Sequence, residues 1–93
     1  MTLTELRYIV AVARERHFGR AAEACHVSQP TLSVAIKKLE EELGMPLFKR
    51  IGKKVQLTEA GSVFLIHAKK VVENVENGKQ AIEDLNEMIG GEL

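Results

Sequence analysis

Apolar residues recur at steps of three and four along most of this chain and alternate with polar ones in only one stretch, between Leu47 and Thr58. Steps of three and four belong to helices and alternation to strands. The pattern therefore predicts a mainly α protein: three helices, a short hairpin, and a long final helix. Leu3, Leu6, Val10 and Ala13 form the first stripe, and Thr2 with Glu5 has the spacing of a capping box. Together they predict a first helix from Leu3 to about Glu15.

The next helix is short. Ala21, Ala22 and Ala24 lack bulk, so another helix can cross closely over them, with Phe18 and Val27 as apolar anchors at either end. Ser28 can cap the helix that follows, and Pro30 falls in its first turn, where a missing N–H costs little. That helix starts near Gln29 and would bury Leu32, Ile36, Leu39 and Leu43. Its outer face carries Gln29, Ser33 and Lys37, with Pro30, Val34 and Lys38 on the adjoining row. Beyond Gly44 and Pro46, the runs Leu47-Phe48-Lys49-Arg50 and Val55-Gln56-Leu57-Thr58 flank a Gly-containing turn, which predicts a hairpin with Arg50, Lys53 and Lys54 at its tip. Thr58 then caps a last helix running to Ile89, about 46 Å at 1.5 Å per residue. Phe64, Ala68, Val71, Val75, Gly78, Ile82, Leu85 and Ile89 form a heptad seam along it, and its most economical partner is the same helix of a second copy.

Two helices meeting at a tight turn, the second presenting polar, basic and small apolar groups together, suit the major groove of double-stranded DNA. Gln29 can bond adenine bidentately, Pro30 and Val34 can touch a thymine methyl, and Lys37 can reach guanine or phosphate. Ser33 can contact a base edge or phosphate. Arg20, Ser28, Thr31 and Lys38 are phosphate candidates, and Arg50, Lys53 and Lys54 can lie along the backbone or enter the minor groove. The acidic run Glu40 to Glu42 falls where the helix would leave the groove.

The net charge of zero conceals a division. Met1 to Leu57 holds ten Lys and Arg against six acids, or +4, and Thr58 to Leu93 holds three bases against seven acids, or −4. A basic head on an acidic rod fits a phosphate-facing module with a protein-facing helix. The longest apolar run, Tyr8 to Ala13, is far short of the roughly 18 residues of a membrane span, and no leader pattern precedes it, so a cytoplasmic protein is expected. Cys25 reads as a small buried hydrophobe rather than a redox sensor. His17, His26 and His67 lack the close spacing of a metal site, and no nucleophile-base pair or phosphate-cradling loop is present. Neither catalysis nor a cofactor is expected.

The stretch SQPTLSVAIKKLEEELGMPLFKR followed by VQLTEAG resembles the LysR-type transcriptional regulators, and the resemblance covers essentially the whole chain. Within the family, RHFGRAAEACHVSQPTLS is most similar to the peroxide-sensing OxyR branch. The resemblance implies a winged helix-turn-helix head over residues 1–57 and a dimerising linker helix over 58–89 that pairs antiparallel. It further implies a hinge beginning at 90–93, leading to a regulatory domain outside this sequence. A homodimer reading an interrupted palindrome follows, with tetramers and contact with RNA polymerase in the full-length protein. Two positions depart from the pattern: Val34 stands where many members carry Arg, and Gly19 replaces a frequent Ser or Thr, so a cap or phosphate contact is expected to be lost there. The competing class is a helical protein-interaction module with a basic head.

Overall fold

The computed structural model describes residues 1–90. Side-chain caps set the helix starts. α1 spans Leu3–Glu15; Thr2 Oγ1 accepts the Glu5 N–H at 3.1 Å while the Glu5 carboxylate accepts the Thr2 N–H at 2.8 Å. α2 spans Phe18–Ala24, and α3, Gln29–Leu43, opens on Ser28, whose Oγ accepts the Thr31 N–H at 3.3 Å. α3 stops at Gly44, whose φ of 77° lies in the left-handed region that glycine adopts without steric cost. β1 (Phe48–Ile51) and β2 (Lys54–Leu57) pair antiparallel, with Ile51 opposite Lys54, which leaves Gly52 and Lys53 as a two-residue turn. α4 runs Glu59–Met88 from a Thr58 cap, Ile89 closes it, and Gly90 follows at a φ of 98°. The helix stop predicted from Gly90 onward thus begins as expected, and the rest of that tail, residues 91–93, lies outside the described residues.

α1 is the central helix. It packs against α2 and α3 on one side and α4 on another, so Leu6, Tyr8, Ile9, Ala11 and Val12 are all buried. This corrects the single predicted stripe: Leu3 is exposed at the rim and Val10 and Ala13 are half-buried, because a helix enclosed on several sides buries more than one face. Ala21 and Ala22 are buried as expected, whereas Ala24 is exposed. Leu32, Ile36 and Leu39 complete the core with Leu47, Phe48 and Val55; each fully buried leucine contributes about 1.5–3 kcal/mol. Leu43 does not join them, since the last turn of α3 overhangs an open groove beside α4.

The molecule measures 53 × 24 × 18 Å, and the 30 residues of α4 are about 45 Å long. The foot of α4 belongs to the head. Gly61 and Ala68 are buried, and Phe64, Leu65 and Val72 pack half-buried against the core. The eight-residue seam is corrected accordingly. Ala68 and, in part, Phe64 and Val75 are spent within one chain, and Val71, Gly78, Ile82, Leu85 and Ile89 are exposed.

Candidate nucleic-acid interface

The first turn of α3 is exposed at Gln29, Pro30 and Thr31, and the exposed face continues through Val34, Lys37 and Lys38, with Ser33 half-buried between them. Ser28 has a different place. Its Oγ accepts the Thr31 N–H and donates to Thr31 Oγ1 at 2.8 Å, so its proton is committed to the cap and the Thr31 hydroxyl is the one free to donate outward.

The hairpin stands beside this face, and the pleat decides which of its bases face α3. Phe48 pairs with Leu57 and Arg50 with Val55, which puts Phe48, Arg50, Val55 and Leu57 on the inner side. The Arg50 guanidinium lies 4.2 Å from the Phe18 ring centroid, and that ring meets Phe48 edge-on at 6.4 Å. A cation held over an aromatic face is positioned as well as stabilised. Arg50 is therefore not at the wing tip, as the sequence suggested. It sits between two hollows, one lined by His17, Gly19, Gln29 and Lys53, the other by Ser33, Lys37 and Glu40. Gln29, Ser33, Lys37, Arg50 and Lys53 thus converge on one surface. Lys54 is displaced to the outer side of the hairpin, opposite Ile51, and Arg20 stands exposed on α2.

Three supports of this surface were not read from the sequence. The Glu40 carboxylate accepts the N–H groups of Leu47 at 2.6 Å and Phe48 at 3.2 Å, which fastens the root of the wing to α3. His17 caps α2, its Nδ1 accepting the Arg20 N–H at 3.0 Å. The expected loss of a cap at Gly19 is thereby corrected: a Cβ at Gly19 would lie 2.9 Å from His17 Cε1, so the missing side chain makes room for the ring that caps the helix. Gly61 is the third. A Cβ there would collide with the Leu47 carbonyl, where α4 crosses the entry to the wing. Histidine is outside the usual capping set, and nothing local announces the other two contacts. The remaining groups are quiet. Burial raises the Cys25 thiol above its ordinary range, with Arg14 acting against that, and no cluster of potential metal ligands occurs among the described residues. No described helix is long and apolar enough to cross a membrane.

Residues 3–62 match the family described as bacterial regulatory helix-turn-helix protein, lysR family. The DNA-binding transcriptional dual regulator OxyR of Escherichia coli is 45% identical over 93 residues, covering 100% of this chain and 30% of the relative. The HTH-type transcriptional regulator BudR of Klebsiella aerogenes is 60% identical over 72 residues, 77% of this chain and 50% of BudR. The crystal structure of a BenM DNA-binding domain on its benA site 1 DNA superposes with a TM-score of 0.82 at 39% identity, covering 91% of this chain and 99% of that one. The chain spans less than a third of the OxyR relative's length. Its winged helix-turn-helix head and long C-terminal helix have the architecture of these regulators, and the chain belongs to the LysR family of bacterial regulatory helix-turn-helix proteins.

Proposed function

We propose that this chain reads an interrupted palindrome in double-stranded DNA as a homodimer and so controls transcription in the bacterial cytoplasm. α3 enters the major groove with Gln29, Pro30, Ser33, Val34 and Lys37 at base edges. Thr31, Lys38 and Arg20 reach phosphate, and the wing follows the backbone through Lys53, with Lys54 on its outer side. The observation that carries this reading is Arg50, held over Phe18 between the Gln29 and Lys37 ends of the exposed α3 face. A solvated surface has no need to fix a cation beside that face. Val34, 68% exposed, favours thymine-methyl contact at the position where an arginine would favour guanine.

Two identical heads related by a two-fold axis favour a site of matching symmetry. The oxidative-stress assignment rests on likeness to OxyR alone, against which BudR is a regulator of higher identity, 60% against 45%, over a shorter span. Tetramer assembly and contact with RNA polymerase belong to the full-length protein. The test is selection of the chain against a random duplex library at near-physiological salt. An enriched interrupted palindrome is expected, with Gln29→Ala shifting base preference. Lys53→Ala should weaken all sequences alike and reduce the log-log salt slope by about 0.9. A bound pool no different from the input would turn attention to the protein-interaction reading of the basic head.

A further inference from the structure

A cleft of about 340 Å³ opens where α1 meets the end of α2 and Val72 of α4, and it shares no lining residue with the two hollows beside α3. Small side chains keep it open. Buried Ala11 and the buried Tyr8 ring lie beneath it, and Ala24 and Val72 stand at its sides. Tyr8 is only 9% exposed, yet its hydroxyl makes no hydrogen bond among the described residues. No sealed side-chain oxygen or nitrogen lacks a partner, so this hydroxyl must open on the cleft it lines. The second polar group is Arg14. Its guanidinium uses only Nε, on the neighbouring Glu15 at 3.0 Å, and the side chain is 60% exposed, which leaves both terminal nitrogens free. Its charge also acts on the Cys25 thiol against the effect of burial, which sets the guanidinium on the cleft side of α1. Arg7, the other cation on the rim, is committed to Glu76 at 2.7 Å.

We propose that this cleft binds a small organic carboxylate that carries a second oxygen, a carbonyl or hydroxyl, at its far end. The carboxylate accepts two hydrogen bonds from the terminal Arg14 nitrogens, the far oxygen accepts one from the Tyr8 hydroxyl, and the hydrocarbon between them lies against Ala11, Ala24 and Val72. A planar fork matches a carboxylate edge to edge, and a few polar groups set in apolar walls are what a small-molecule pocket offers. Tyr8 and Arg14 are six residues apart, about 9 Å along α1, so one compact anion does not satisfy both and a ligand with two polar ends does. Inorganic phosphate fits less well. It would find the second cation already neutralised by Glu76 and would leave the apolar walls uncovered. Cys25 opens the turn that leads to α3, with His26 following at a φ of 58°, so an occupied cleft braces that turn against α1 and α4. The inference is independent of the DNA reading proposed above.

The test uses free protein and no DNA, so a failure of DNA selection and a failure of this inference are read separately. Sodium 5-oxohexanoate, added at constant ionic strength and followed by NMR of the isotope-labelled chain, should give saturable amide shifts concentrated at Tyr8, Ala11, Ala24 and Cys25. A dissociation constant on the order of 1 mM is expected for so small a ligand. The uncharged 5-oxohexanamide should leave those amides unmoved. Arg14→Gln, at an exposed position, should raise the constant at least about tenfold. Tyr8→Phe keeps the ring, and should weaken 5-oxohexanoate by about fivefold while leaving hexanoate, which lacks the far oxygen, unchanged. Shifts that do not saturate or that fall outside the cleft, an Arg14→Gln chain that binds as tightly, or a Tyr8→Phe loss equal for both acids would each overturn the proposal.

Discussion

Gly61→Ala is a substitution for which helix propensity and tertiary packing predict opposite signs. Gly61 lies in the first turns of a long helix, and propensity alone makes alanine better there by about 1 kcal/mol. Packing argues the reverse. An added Cβ would overlap the Leu47 carbonyl oxygen and come within 3.0 Å of Leu57 Cδ2. That carbonyl cannot yield cheaply, because it accepts the Thr58 N–H at 3.0 Å, and the neighbouring Pro46 carbonyl accepts the Thr58 hydroxyl at 2.6 Å. Relief therefore requires α4 to lift from the wing root. Overpacking against backbone costs about 3 kcal/mol or somewhat more, and disturbing the Thr58 bonds adds about 1 kcal/mol. After the propensity gain, a net loss of roughly 2–4 kcal/mol remains. For a domain of this size that lowers the melting temperature by roughly 10–25 °C. Thermal unfolding followed by circular dichroism measures it, at matched protein concentration because the proposed dimer would make the midpoint concentration-dependent. A Gly61→Ala protein as stable as the native chain, or more so, would refute the packing argument.

Glu40→Ala should lose about 2–3 kcal/mol in urea unfolding, since two backbone N–H groups at the wing root lose a charged acceptor, and Glu40→Gln, which keeps a carbonyl oxygen, should lose about half as much. His17→Ala should lose about 1 kcal/mol by removing the α2 cap, and Gly19→Ala should lose a comparable amount by displacing the same ring; an unchanged unfolding midpoint in both would deny the cap. With its pKa raised by burial, the Cys25 thiol should alkylate more slowly at neutral pH than an unfolded cysteine, reaching comparable rates only at more alkaline pH; equal rates in native and urea-unfolded protein would contradict this.

Helix starts, the turn and the wing were legible in the sequence because they are settled over a few residues. Thr2 with Glu5, Ser28 with Thr31, and Thr58 with Gly61 are fixed by chain spacing, and the Gly52 turn follows from the alternation on either side of it. The exposed face of α3 followed from periodicity alone. What the sequence could not divide was the apolar circumference of α4. Heptad spacing marks Phe64, Ala68, Gly78 and Leu85 as one seam, yet only the position of the head decides that the first two are used within the chain and the last two are left open. In the same way, Lys54 and Arg50 are equivalent bases in a hairpin until the pleat turns Arg50 inward onto Phe18, and Glu40 is one acid of a run until the wing root reaches it. Local hydrogen bonds depend on separation along the chain and can be read from it; partners brought together across elements depend on packing geometry, which exists only once the fold has formed.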